Sequence, residues 1–345
     1  MIKYSGNPKF LQEVVVSMKK IFSLSLLLLL ALSVPVLAAS SGGVPMSGPY
    51  PDGSRLTFAT GGEQGEYYAF GSALAEMASR KTSTQVHIVA SSGAMKNIEA
   101  LAKNTAKLAF IQSDVGFYAS RGTRLFGQKY SGFSTVAVLY PEPVQIITLT
   151  PEIERIENLK GKTVSVGAEG SGTYFNAVDV LEAYGMDINT DINPVYESFG
   201  NSVEALKAGK IDAAFIVAGT PTPAVAELAK AGKIFIVSFD DRHIMDLIAK
   251  HPYYTKIELP KSTYGTDEGD VTVAVNAVVV ARDDVKMEDV YNFMFGVFEN
   301  LDGLAKDNAR AKHLSLKSAA SYPAVPYHAG AVKYLGEKGI LVSGK

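Results

Sequence analysis

Apolar positions along this chain change period repeatedly, and the changes mark alternating strands and helices. Leu56 to Ala59 is a short β-prone run. It leads into Gly61, Gly62 and Gly65, after which Tyr68, Gly71, Leu74, Ala75 and Ala78 recur at helical spacing. Gln85 to Ala90 alternates, with Val86, Ile88 and Ala90 on one face, and ends at Ser91-Ser92-Gly93. A helix follows with Met95, Ile98, Leu101 and Ala102 on one side, then a short buried strand, Leu108 to Ile111, whose end carries Gln112, Ser113 and Asp114. Strand, helix, strand, helix, strand predicts a parallel sheet covered by helices, with ligands at the carboxyl ends of its strands.

The same order recurs. Lys162 to Val166 reads as a strand, Gly167 to Gly172 as a glycine-rich turn, and Tyr174 to Tyr184 as a helix with Ala177, Val178 and Leu181 on a face. Asn193 to Tyr196, a helix from Ser202 to Lys207, and the strand Ala213 to Val217 complete it, ending in Ala218-Gly219-Thr220-Pro221. Ala100-Leu101 and Ala205-Leu206 stand 105 residues apart, as do Ala109-Phe110-Ile111 and Ala214-Phe215-Ile216 (205 − 100 and 214 − 109). Gly62 and Gly65 map onto Gly167 and Gly170 at the same shift. The expected fold class is therefore α/β with two lobes, each a βαβαβ-type sheet with flanking helices.

Two apolar stretches suit strands that cross between lobes. They are Ser134 to Thr150, where Pro141 and Pro143 bracket Glu142, and the valine-rich Val271 to Ala281. Val285 to Leu304 follows as one amphipathic helix, and a short helix is expected near Ala329 to Gly336. Two crossings return the chain to where it began. Lobe one would be discontinuous, residues 54–141 and 282–345, and lobe two would be 142–281.

At the front, Met18, Lys19 and Lys20 precede an uncharged run from Ile21 to Leu37, with five consecutive leucines and small residues at its end. A basic start, an apolar stretch and a small-residue cleavage point describe a secretory signal peptide, here preceded by an over-extended start and cleaved near Ala38. Residues 1–38 are assigned to it and 39–53, rich in Gly, Pro and Ser, to a flexible lead. An exported, periplasmic protein is expected. Its net charge of −2 is spread evenly, which points to neither nucleic acid nor an anionic membrane as partner. With no cysteine in the chain, thiol catalysis, cysteine-ligated zinc and disulfides are excluded.

Motifs for catalysis fail on spacing. Gly161-Lys162-Thr163 lacks the first glycine of a phosphate loop and leads into a strand where that loop needs a helix. Gly170-Ser171-Gly172 has no residue between serine and each glycine, so it is no nucleophile elbow, and Phe175 stands where a dinucleotide fingerprint needs glycine. The histidines at 87, 243, 251, 313 and 328 show no metal spacing. Asp240-Asp241-Arg242-His243 reads as a solvated loop or a helix start. Asp114 and Glu142 would order a cleft or position Tyr140 rather than act as acid and base. No cofactor or metal is expected.

Neutral donors are more informative. Tyr67, Tyr68, Ser91, Ser92, Gln112, Ser113, Tyr140, Ser171, Thr173, Tyr174 and Thr220 all fall at expected strand ends or helix starts. With Gly62, Glu63 and Gly172 from the two glycine turns, they form the expected ligand site. Helix starts offer unpaired N–H groups and positive dipole ends, so a small anionic solute held from two sides is the expected ligand.

As a set, the stretches ATGGEQGEYYAFGSALAEM, IVASSGAMKNIEAL, KLAFIQSDV, VAVLYPEPVQII, LKGKTVSVGAEGSGTYFNA and ALKAGKIDAAFIVAGTPTPAVAELA resemble the TAXI family of solute receptors of TRAP transporters. The resemblance runs from about Leu56 to Ala281. It implies a two-lobed periplasmic-binding-protein fold of type II kind. The implied activity is binding, not catalysis, of a small carboxylate such as glutamate, glutamine or 2-oxoglutarate, delivered to the membrane permease subunits of a TRAP transporter. A monomer is expected. The chain departs from the family at Glu63-Gln64, where a hydroxyl pair is common; Glu63 must turn outward or meet a ligand amine. An exported hydrolase using Ser171 or Asp114, and a ligand-sensing partner of a membrane kinase, are the rival readings.

Overall fold

The first expected strand forms as β1 (Arg55–Ala59), with Leu56, Phe58 and Ala59 buried. α1 (Glu66–Lys81) buries Gly71, Leu74, Ala75 and Ala78 of the expected stripe together with Phe70 and Met77, and leaves Tyr68 half-buried. β2 (Gln85–Val89), α2 (Ala94–Ala102), β3 (Leu108–Gln112) and α3 (Ser113–Arg121) complete the first half. After β4 (Phe133–Thr148) the pattern repeats as β5 (Thr163–Ser165), α4 (Gly172–Ala183), β6 (Asn193–Val195), α5 (Phe199–Lys207) and β7 (Ala213–Val217). Then come α6 (Pro223–Ala231), β8 (Phe235–Ile236), α7 (Asp241–Lys250), β9 (Thr255–Leu259) and β10 (Asp270–Arg282). α8 (Met287–Phe298), α9 (Leu301–Asp307), α10 (Leu316–Ala319) and α11 (Ala329–Glu337) close the chain.

This computed structural model describes residues 49–124, 126–267 and 269–345, all within one compact unit, Met46–Lys345. The expected signal peptide and residues 39–48 of the expected lead lie outside the described residues. Residues 49–53 are tied down. The Tyr50 carbonyl accepts hydrogen bonds from Ser83 and Asn292, and its ring meets Tyr291 edge-on at 5.2 Å. No helix among the described residues is long and apolar enough to cross a membrane.

The sheet runs β2-β1-β3-β10-β4-β7-β5-β6, with β8 and β9 paired to β4 and β10. Within each half the strands are parallel as expected, and the two crossing strands make the sheet as a whole mixed. β1, β2 and β3 are parallel, as are β5, β6 and β7, but β10 and β4 run antiparallel to each other and to their neighbours. These are the two expected crossing strands. At roughly 3.3 Å per residue, β4 spans about 50 Å, enough to pair first with β10 and then with β7. Pro141, opposite Asn276, borders one slip in the β4–β10 register, as suits a residue that gives the ladder no N–H.

The internal repeat is structural. Arg55 pairs with Gln85 and Thr163 with Asn193, the same interval in each half (85 − 55 and 193 − 163). Each half has its own cores. Phe58, Phe110 and Val279 pack with Phe293 and Met294, while Val164, Val180 and Phe215 pack with Leu247 and Val273.

One expected helix is two. Between α8 and α9, Asn300 leaves the helical region (φ −132°, ψ 28°) and its side chain donates to the Gly296 carbonyl at 2.9 Å, so a local hydrogen bond outcompetes helix continuation. The Asp240–His243 run is a helix start: Asp240 caps α7 by accepting from the His243 N–H at 3.1 Å.

α8 lies directly on α1 at Gly296, where an added Cβ would stand 2.8 Å from the Ala78 Cα. Gly296→Ala is expected to lower stability by about 1–3 kcal/mol through overpacking, read as a reduced urea midpoint at unchanged slope.

Candidate functional site

In each half, parallel strands hand the chain to helices at the same sheet edge, so the helix starts collect there. The residues just before α1, α2, α3, α4 and α5 are Gly65, Gly93, Gln112, Ser171 and Ser198, and all line one cavity of about 500 Å³. Each helix start leaves backbone N–H groups without intrahelical partners and carries partial positive charge. Ser171 and Ser198 each cap one such group, that of Tyr174 at 3.4 Å and of Asn201 at 3.3 Å. Gly65, Gly93 and Gln112 make no side-chain cap.

Most of the expected ligand residues meet in this cavity. Gly62, Glu63, Tyr67, Ser91, Ser92 and Gln112 line it from the first half, and Ser171, Gly172 and Thr173 from the second. Glu63 is exposed at its edge.

Five expected residues are elsewhere. Tyr68, about 100° around α1 from Tyr67, is half-buried and away from the cavity. The Ser113 hydroxyl accepts the Asn276 N–H at 3.1 Å. Tyr140 is 2% exposed and packs edge-on against Phe70 at 5.5 Å, and Thr220 offers its carbonyl to Arg310. Tyr174 packs against Tyr196 instead, ring centroids 5.4 Å apart.

Sequence reasoning missed Glu66, and Ser198 to Asn201, which also line the cavity. The repeat could have found the latter, since Gly93 plus the shift of 105 gives Ser198. It also missed Asn97, which is fully buried. The Asn97 amide donates to the Thr60 carbonyl at 2.6 Å and the Phe110 carbonyl at 2.7 Å, and its oxygen accepts from Ser91 at 2.6 Å. Three segments of the cavity wall are thereby fixed by one side chain.

Opposite walls touch. An added Cβ on Gly172 would lie 1.4 Å from Gln112 Oε1, and one on Gly200 would lie 1.5 Å from Gln64 Oε1. The Met95 N–H donates to the Gly170 carbonyl at 3.2 Å, from a turn in which Gly167 and Gly170 adopt positive φ, +89° and +77°. Beside the cavity, Gln112 donates to Asn176 at 3.1 Å, and Asn176 donates to Asp114 at 2.9 Å.

A model of the NMT1-like family matches residues 58–339. The chain belongs to the NMT1-like family. Its fold is that of periplasmic solute-binding proteins. A structure described as a periplasmic transporter matches with TM-score 0.51 at 15% identity, over 84% of this chain and 93% of the other. Periplasmic binding protein BugD matches with 0.50 at 15%, over 76% and 87%. MatC of Rhodopseudomonas palustris, solved with bound malate, matches with 0.50 at 13%, over 75% and 88%.

In this NMT1-like chain the ionisable groups at the cavity are acidic. Among the described residues that line it, Glu63, Glu66 and Glu142 are ionisable carboxyls and none is lysine, arginine or histidine. Glu142, 1% exposed, accepts the Tyr67 hydroxyl at 2.8 Å. Burial holds its pKa well above the usual carboxylate range, against the pull of the Tyr67 hydrogen bond. It engages Tyr67, not the expected Tyr140, whose hydroxyl has no hydrogen-bond partner among the described residues. Glu66 is also raised by burial, which outweighs its ion pair with Arg310 at 3.2 Å.

No group of three metal-ligating side chains occurs among the described residues. Asp114 is wholly buried and does not line the cavity, and the Ser171 hydroxyl caps α4, so neither is placed as a nucleophile on a solute. The arrangement can hold a small polar molecule by hydrogen bonds and dipoles.

Burial, followed by the nearby Asp179 carboxylate, pushes the Asp114 pKa up to about 8. A raised acid pKa means the native state holds a proton that the unfolded chain gives up near pH 4. The resulting stabilisation is complete below about pH 4 and is lost as pH rises towards about 8. Thermal melts of wild type and Asp114→Asn from pH 5 to pH 8 should show the variant gaining on the wild type as pH rises; a constant difference would contradict this.

Proposed function

We propose that this protein is an extracytoplasmic receptor that binds a small carboxylate solute in the cleft and delivers it to a TRAP-type membrane permease. The observation that carries the reading is the convergence of five helix starts on one cavity. Each contributes about 0.3–2 kcal/mol toward holding a negative charge, and only several together offset the several kcal/mol of desolvating a carboxylate. The cavity's size suits a small metabolite. MatC, with its bound malate, adds support for a carboxylate.

The TAXI resemblance narrows the class to glutamate, glutamine or a 2-oxoglutarate-like acid and supplies the permease. Gly62, Tyr67, Ser91, Ser92, Gln112, Ser171, Gly172 and Thr173 are the proposed contacts, with Glu63 at the rim. In this reading residues 54–141 with 282–345, and residues 142–281, act as two lobes that hinge on the crossing strands. The protein is a monomer, exported by the signal peptide, and performs no chemistry on its solute.

Calorimetric titration of the folded chain with a panel of amino acids and dicarboxylates tests this. One panel member should bind saturably. At a hundred-fold excess over its Kd, it should stabilise the fold by about 2.7 kcal/mol, seen as a raised melting temperature. A folded chain that binds nothing in the panel would refute the reading.

A further inference from the structure

The two halves meet along two flanks, and the contacts on them differ in kind. On one flank α4 is set into the core of the other half. Phe175 is 2% exposed and stacks on Tyr118 at 5.7 Å and on Phe126 at 5.5 Å, ring centre to ring centre. Among the described residues, the buried members of that core from 142–281 are Phe175 and the crossing-strand Val278 and Val280. The others, Ile98, Ile111 and Val115 among them, come from 54–141 and 282–345. One turn along α4, Asp179 is 1% exposed and accepts the Tyr118 hydroxyl at 2.7 Å and the Arg124 guanidinium, which also reaches Glu182 at 3.0 Å. Phe175, Asp179 and Glu182 stand at i, i+4 and i+7, on a single face of the helix. Arg124 reaches them from a left-handed backbone, φ +59°, a conformation that persists in a non-glycine residue only where surrounding contacts hold it.

The other flank has no such weld. α5 and α6 give Val203, Leu206, Val225 and Leu228 to a core drawn wholly from 142–281. α1 gives Phe70, Leu74 and Met77 to a core whose buried members from 142–281 are Ala277, Val279 and Ala281 of the crossing strand. Between these cores the contacts are polar. Gln64, exposed, lies over Gly200 at the start of α5, where an added Cβ would meet its Oε1 at 1.5 Å, and Arg310 donates to the Thr220 and Pro221 carbonyls. Water can replace these partners when the halves part here. Parting the first flank would instead bring Phe175, Tyr118 and Phe126 into water and break up a buried ion pair.

We propose that the cavity opens on one flank only: Phe175 and Asp179 stay docked among Tyr118, Phe126 and Arg124 as a fixed seam, and the halves part between the start of α1 and the start of α5, with Gln64 as the moving lip. This deepens the receptor reading above, on which the solute's route rests. Opening is then a rotation about the seam, and the Arg310 bonds are among those that break.

With no cysteine in the chain, introduced pairs are the sole sites for nitroxide labels. Dipolar electron–electron distances are measured on the full chain for Ala69→Cys with Glu204→Cys, on α1 and α5, and for Arg121→Cys with Ala249→Cys, on α3 and α7. All four positions are exposed, and α7 shares a core with α4. Where a compound of the panel binds, L-glutamate, L-glutamine and 2-oxoglutarate included, the first distance should shorten by more than about 2 Å and the second should move by less than about 1 Å. Where none binds, the first distribution should be the wider. Phe175→Ala should widen the second distribution, and Arg124→Gln replaces that variant if it does not fold; an unchanged width in the folded variant would contradict the seam. A second distance that moves as far as the first would overturn one-sided opening and leave the receptor reading standing. A wide first distribution that no compound moves would overturn the receptor reading and leave one-sided opening standing. Two equally narrow distributions that no compound moves would overturn both.

Discussion

The pairing of β4 with β10 is what the rest of the structure hangs on. β3 is built onto β10 and β7 onto β4, so the helix starts of both halves are positioned by this strand pair. The pair tolerates that role because it is buried nearly throughout: every residue of β4 except Pro141 is inaccessible, and Val278, Val279 and Val280 of β10 are wholly so. Successive residues alternate faces, so Val279 joins one core and Val278 and Val280 another. β-branched side chains fit such a two-sided burial, which is why the run is so rich in valine.

That scaffold brings opposed electrostatic elements into one place. Helix starts favour anions, yet Glu66 and Glu142 are buried among them, where an isolated carboxylate would be strongly penalised. The two acids resolve the conflict differently. Glu66 takes Arg310, whose other two nitrogens donate to the Thr220 and Pro221 carbonyls, while burial keeps Glu142 towards its neutral form beside Tyr67. With the buried guanidinium already occupied, the positive potential at the cavity comes from backbone dipoles.

Strands and the repeat were legible because alternation and a fixed shift survive in a single sequence. The direction of the crossing strands was not, since it depends on how the chain passes between halves, and no local residue encodes that. Within the cavity, Gly62, Ser91, Gln112 and Thr173 were legible as strand-end and turn residues. Ser198 to Asn201 were not, because the second half of the repeat replaces the Gly93 turn with a polar segment that looks like any loop. The shift still holds there: Asn97 maps onto Ser202, and both are fully buried polar side chains that brace the first turn of their helix, Ser202 against Ser165 at 2.7 Å. Tyr68, Tyr140 and Thr220 misled because proximity in sequence to a strand end says nothing of side-chain direction. Buried acids such as Glu66 leave no periodic trace at all.

The contacts across the cavity bear on how a receptor of this kind would open and close. Gln112 to Asn176, Asn176 to Asp114 and Met95 to Gly170 all join the two halves. Each is worth only about 0.5–1.5 kcal/mol net, because water replaces it on opening. Set against them, Gln112 Oε1 and Asp114 Oδ1 are buried acceptors without partners among the described residues, and each such atom costs about 1–3 kcal/mol. Arg310 to the Thr220 and Pro221 carbonyls, and Arg124 and Tyr118 to Asp179, also join the two halves, so the walls are held together by more than the three bonds beside the cavity. A solute that donates to Gln112 removes one of those penalties only when the walls meet. Its binding energy would then favour closure specifically, which is the differential affinity that a population shift requires.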